Sequence, residues 1–184
     1  MLTEEKINFN FVTFVKRLKK YNIYTEKMEK DDEFNSLLKN ATAFLTADTN
    51  LAYDGSLIEH IINITSNAIS LNNVLLDKVK VDQDSLVKVC LLHQISKALT
   101  YTKNDVEWEI GKGKLYKYAE NLPAIRCGEF SVYLVMKYGV ELTLEEFESI
   151  LAIDKKDDDQ KKYHKSVLTM LLEKANDLAV KTKK

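Results

Sequence analysis

Two histidines carry the sharpest chemical suggestion in this sequence. His60 lies in SLIEHI and His93 in LLHQISK, each close behind a pair of apolar residues in a stretch of helical pattern. One such histidine reads as a core residue with its ring satisfied. Two on neighbouring helices can meet at one metal ion, because neutral imidazole nitrogens suit divalent transition metals. Asp177, in KANDLA, offers a hard oxygen ligand to the same ion; by itself it reads as a surface aspartate near a helix end. His164, in QKKYHKS, sits in a polar stretch and reads as exposed. Cys90 lies in an apolar helical pattern and reads as a buried thiol. With Cys127 it does not make a disulfide framework, so a reducing, intracellular setting is expected. In WEIGKGKLYKYAE, Lys112 and Lys114 stand among aromatics and glycines, a pattern that can touch phosphate. The plainer reading of that segment is a flexible loop.

The elements that must position these residues are helical. Among 184 residues only 5 are Gly and 1 is Pro, too few for a protein of many tight turns. A 45% hydrophobic and 30% charged composition is that of a soluble globular chain of one domain. The net charge of -1, with Arg17 and Arg126 as the arginines, argues against nucleic acid as a partner. No apolar run is long enough to span a membrane, and MLTEEKINFNF lacks a signal-peptide pattern. Ile7, Phe11, Phe14, Val15 and Leu18 predict a first helix over 4–20. Phe9, Phe11 and Phe14 beside Lys16, Lys19 and Lys20 make that helix a candidate interface. Charged residues 26–33 open a second helix carrying Phe34, Leu37, Leu38 and Ala41. After a loop over 46–55, a third helix runs from Ser56 to about Leu71 with Leu57, Ile61, Ile64 and Ala68 inward. Asp84-Ser85 reads as the cap of a fourth, LVKVCLLHQISKAL, apolar on most faces and so central. Residues 102–121 read as a long loop containing a short hairpin, closed by Pro123. A fifth helix follows over about 128–138. Thr143-Leu-Glu-Glu146 is a capping box for a sixth. KKDDDQKK at 155–162 reads as a solvated linker, and Val167, Met170, Leu171, Ala175 and Leu178 mark a last helix.

Four segments in order resemble the HD-domain metal-dependent phosphohydrolases, in particular a branch common in bacteriophages and prophages. AYDGSLIEH is similar to that branch's Y-x-G-x-L-x-E-H segment, whose histidine is a metal ligand and falls on His60. LLHQISK resembles its L-L-H-D-x-x-K strip and puts His93, Gln94 and Lys97 at the three positions. YAENLPAIRCGEFSVYLVMKYGVELTLEEFESI resembles the segment in which Gly-His-Gly-Glu-Lys-Ser precedes a helix and a later L-T-x-E-E start. ANDLA resembles A-x-D-x-L-A, whose aspartate closes the ligand set and falls on Asp177.

The resemblance implies an all-α, HD-like bundle of about six or seven helices, with 1–42 as N-terminal helices packed on or extending a domain over 43–184. It also implies a degraded site. The strip's aspartate is Gln94, the Gly-His-Gly-Glu histidine is Cys127 ahead of Glu129, and a later Trp-His-Met-Gly histidine is Ile153. A neutral amide is a poor substitute for a carboxylate on a divalent metal. The vestigial pocket is therefore expected to comprise His60, His93, Gln94, Lys97, Cys127, Glu129, Ile153 and Asp177, with no catalytic residue and no cofactor. If a metal binds, it is a divalent transition metal held weakly by His60, His93 and Asp177. The function implied is a phage-encoded pseudoenzyme acting as a structural or interaction component, a virion component or another accessory factor, in the host cytoplasm or the virion, with a protein partner or a second copy. The alternatives are a weak single-metal nucleotide phosphohydrolase and a nucleotide-binding module in which Lys97 and Arg126 meet phosphate.

Overall fold

In the computed structural model, residues 2–47, 50–153 and 165–182 are described. His164 and the expected linker over 155–162 lie outside them. The fold is all-α with one small hairpin. In chain order the elements are α1 (Glu4–Lys20), α2 (Glu26–Glu29), α3 (Asp32–Asn40), α4 (Ser56–Val74), a 3-10 turn (Asp77–Val79) and α5 (Gln83–Leu92). They continue with α6 (Lys97–Thr100), β1 (Tyr101–Lys103), α7 (Glu107–Gly111), β2 (Tyr116–Tyr118), α8 (Cys127–Lys137), α9 (Leu144–Ala152) and α10 (Val167–Lys181). Short helices account for the excess over the six or seven expected: α2, α6 and α7 each span only four or five residues.

The long helices form where the apolar stripe is regular. On α1, Ile7, Phe14 and Leu18 are buried while Phe9 is 62% exposed. The single helix expected from residue 26 is two, because Thr25 and Asp31 each cap a fresh start: Thr25 Oγ1 accepts from Met28 N and Asp31 Oδ1 from Phe34 N. The cap of α5 is Asp82 rather than Asp84, with Asp82 Oδ2 accepting from Ser85 N. The capping box at Thr143 and Glu146 is present at the start of α9.

The centre of the bundle is α4, packed on α5 and on α10, with α1 and α3 laid across α4. Leu57, Ile61, Ile64 and Ala68 of α4 are buried, as are Leu86, Val87, Val89, Cys90, Leu91 and Leu92 of α5. The first 42 residues are tied to the rest by specific bonds. Arg17 Nη1 donates to Ile62 O (3.3 Å), Thr25 Oγ1 to Tyr138 O (2.7 Å) and Tyr138 Oη to Asp31 Oδ2 (2.9 Å). Gly55, in the left-handed region at φ +78°, seats α1 on the start of α4: a Cβ there would lie 2.7 Å from Ile7 Cγ1.

The expected continuous helix through LLHQISKAL is broken. His93 is the C-cap of α5, residues 93–96 form turns, and α6 restarts at Lys97. The hairpin expected within the 102–121 loop is present, with β1 and β2 paired antiparallel, Tyr101 opposite Tyr118 and Lys103 opposite Tyr116; the departure is that EWEIG, expected within the hairpin, is the helix α7 of the connection. Among the described residues no helix is long and apolar enough to cross a membrane.

Candidate functional site: a buried polar cluster

The break after α5 has a local cause and a chemical result. His93 Nδ1 lies 2.9 Å from the carbonyl oxygen of Cys90. A carbonyl only accepts, so Nδ1 carries the proton and Nε2 carries a lone pair. The side chain has turned back on its own helix at the point where the last carbonyls of α5 need donors. His93 is fully buried. Burial pushes its pKa down to about 3, aided by the nearby His60 and Lys97 and opposed by the bond to Cys90 O. The ring is neutral at physiological pH, and among the described residues Nε2 is a buried atom without a hydrogen-bond partner.

Lys97, the first residue of α6, is 7% exposed and points inward. Its Nζ donates to Ala43 O and to Gln94 Oε1, each at 2.9 Å, and sits 4.7 Å from the centre of the Phe44 ring and 5.9 Å from that of Tyr101. The Ala43 carbonyl is held in place from α4. Ser56 Oγ accepts from Ala43 N (2.9 Å) and donates to Leu51 O (2.6 Å), which folds the loop before α4 over the cluster.

An ammonium has donors and no acceptor, and this fixes the proton arrangement beyond it. Gln94 must present Oε1 to Lys97, so its Nε2 is left to donate to Asn176 Oδ1 at 3.5 Å. Asn176 Oδ1 is also 3.2 Å from His60 Nε2, which therefore donates to it. His60 is fully buried and meets the Phe44 ring edge to face, with centres 5.6 Å apart. Residues from α4, the α5–α6 turn, α6 and α10 thus converge: His60, His93, Gln94, Lys97 and Asn176.

The residue of α10 that reaches His60 is Asn176, which the sequence reading passed over in favour of Asp177. Asp177 is exposed, its carboxylate 3.6 Å from Lys174 Nζ. The buried face of α10 runs through Leu168, Leu171, Leu172, Ala175 and Ala179. Asn176 flanks that face, and one further residue turns the side chain by about 100° towards solvent. The signal that could have found it is the position of Asn176 four residues after Leu172 on the apolar stripe.

Three other expected members stand apart from the cluster's hydrogen bonds. Cys127 opens α8 and is half-buried; its Sγ lies 3.1 Å from Ser96 Oγ, which also donates to Cys127 O at 2.9 Å. Glu129 is exposed, and its Oε2 accepts from Arg126 N at 2.8 Å, a helix-start role. Ile153 is the half-buried C-cap of α9 and packs against the core. In the 102–121 segment, Lys114 pairs with Glu109 at 2.9 Å and Lys112 Nζ lies over the Trp108 ring at 4.6 Å.

The donor set does not fit a two-metal phosphohydrolase centre. Where carboxylates would neutralise and bridge two ions, this cluster has two amides, and an ammonium is hydrogen-bonded to one of them. The imidazole nitrogen that His60 turns to Asn176 is a donor, not a ligand. Among the described residues, no three or more His, Cys, Asp or Glu side chains gather closely enough to hold a metal ion. Comparison of the chain with protein-family models, with curated proteins and with solved structures finds no match.

Proposed function

We propose that this chain is a non-catalytic relative of the HD-type phosphohydrolases that acts through its surface as a structural or interaction protein. The observation that carries the reading is the Lys97–Gln94–Asn176–His60 chain of hydrogen bonds. Where an HD-type enzyme concentrates negative charge for its ions, this protein buries an ammonium and the amide of Gln94, with the half-buried amide of Asn176 beside them. That arrangement holds α4, α6 and α10 together and repels cations. Apolar side chains left outside are the means of interaction. At the corner between α8 and α9, Met136 is 63% and Leu144 73% exposed beside Phe147. The first partner to test is a second copy of the chain. Phage origin and a place in the virion follow from the resemblance to the phage branch and take a separate test, detection of the protein in purified particles.

The lone pair on His93 Nε2 favours a second reading, a weak single-metal phosphohydrolase, since a buried unpartnered imidazole nitrogen is a ligand in waiting. Calorimetric titration with manganese, with hydrolysis of bis(p-nitrophenyl) phosphate followed in parallel, separates the two. The interaction reading expects no binding tighter than millimolar, no hydrolysis, and a native mass above that of one chain that falls on Leu144→Asp. Micromolar manganese binding with metal-dependent hydrolysis overturns it in favour of the second reading.

A further inference from the structure

Beyond the buried cluster, a separate cavity of about 360 Å³ opens between the hairpin and the start of α8. Tyr101 and Tyr118 line it from the two strands, their rings edge to face with centres 5.6 Å apart. Phe130 lines it from α8, and Pro123 and Ile125 from the segment between β2 and α8. That segment is held in shape by its backbone. Ala119 N donates to Thr100 O (2.9 Å), Ile125 N to Pro123 O (2.8 Å), and Asn121 turns the chain at φ 59°. The walls are thus formed in advance, and the volume lies in the range of roughly 300–1,000 Å³ common for small-molecule sites.

The charged residue on the lining is Arg126, whose guanidinium can reach a ligand there. Among the described residues it forms no ion pair, and nearly all the chain's other cations are lysines. A planar fork beside aromatic rings matches a flat ring that bears a carboxylate. We propose that this cavity binds an aryl carboxylate, its ring against Tyr101, Tyr118 and Phe130 and its anionic group on Arg126. None of His60, His93, Gln94 and Asn176 lines the cavity, so the site stands whether or not the cluster binds a metal.

Cys127 also lines the cavity and reports on its occupancy, while Cys90 is fully buried. The test titrates the full chain with 2-naphthoate by calorimetry and follows alkylation of Cys127 by iodoacetamide. Saturable binding that slows Cys127 alkylation several-fold is expected. The neutral isostere 2-naphthalenemethanol should bind about tenfold more weakly, the loss of one charge-assisted contact. Arg126→Gln, at an exposed position, should remove the preference for the acid while the alcohol binds as before. The proposal is overturned by an absence of saturable binding, by binding that leaves Cys127 alkylation unchanged, or by an acid preference that survives Arg126→Gln.

Discussion

His93 makes folding stability depend on pH in a way that one substitution isolates. In the folded chain its pKa is lowered to about 3; unfolded, the ring returns to the ordinary value of about 6.5. Between those values the unfolded chain binds a proton that the folded chain refuses. The contribution of the neutral ring to stability is therefore complete above pH 6.5 and is lost as pH falls towards 3. From pH 7.5 to pH 4.5 the loss is about 3 kcal/mol, nearly two pH units at about 1.4 kcal/mol each. Acidic side chains titrate over part of the same range, so the informative quantity is the difference between wild type and His93→Leu. At pH 7.5 the two should agree within about 1 kcal/mol, since leucine fills the buried site but leaves Cys90 O without its 2.9 Å donor. By pH 4.5 the variant should have gained about 3 kcal/mol on the wild type. Urea unfolding at pH 7.5, 6.5, 5.5 and 4.5 measures both. A difference that stays constant across the series refutes the assignment of His93 as a buried neutral ring.

Other consequences are as direct. Gln94→Asp with Asn176→Asp should create manganese binding visible as a thermal shift, while Gln94→Asp alone should not; a gain from the single variant would mean that Asn176 is not the α10 contact. Asp177→Asn should change stability by less than about 0.5 kcal/mol in chemical unfolding, because the carboxylate is exposed. Gly55→Ala should cost about 2 kcal/mol in the same assay, since it combines a positive φ with a 2.7 Å approach to Ile7 Cγ1. Glu146→Ala should cost about 2 kcal/mol, read as a lowered urea midpoint, because it removes both the bond from Thr143 N and the partner of Lys88.

What the sequence made legible was the helices with a regular apolar interval or a clear cap: α1, α4 and α10 lie close to where the pattern puts them, and α9 starts at its capping box. Its failures have physical reasons. The run LVKVCLLHQISKAL is apolar on nearly every face, so no stripe marks where it stops, and the break comes from a side-chain bond, His93 to Cys90 O, that periodicity does not encode. Asp82 and Asp84 are both good caps, and only the packing of α5 decides between them. His60 and His93 are legible as neighbours from their places on two apolar helical stretches, whereas Gln94 and Lys97 enter only through the resemblance of LLHQISK to a family strip. Asn176 was missed because a carboxylate next to it was the more attractive ligand. Choosing between adjacent residues on a helix requires knowing its rotation about its own axis relative to its neighbours.

The ammonium at one end of the buried hydrogen-bond chain has a consequence for proton movement. A wire that carries protons works because each member can exchange the role of giver for that of receiver. Lys97 cannot receive, so Gln94 is held in one amide orientation, Asn176 in one, and His60 in one tautomer. Donation runs from Lys97 through Gln94 on one side and from His60 on the other, and both arms end on Asn176 Oδ1, an order fixed for as long as the lysine is charged. A cluster of imidazoles and amides that elsewhere would relay protons is here a fixed set of donors converging on one oxygen, set once on folding and kept.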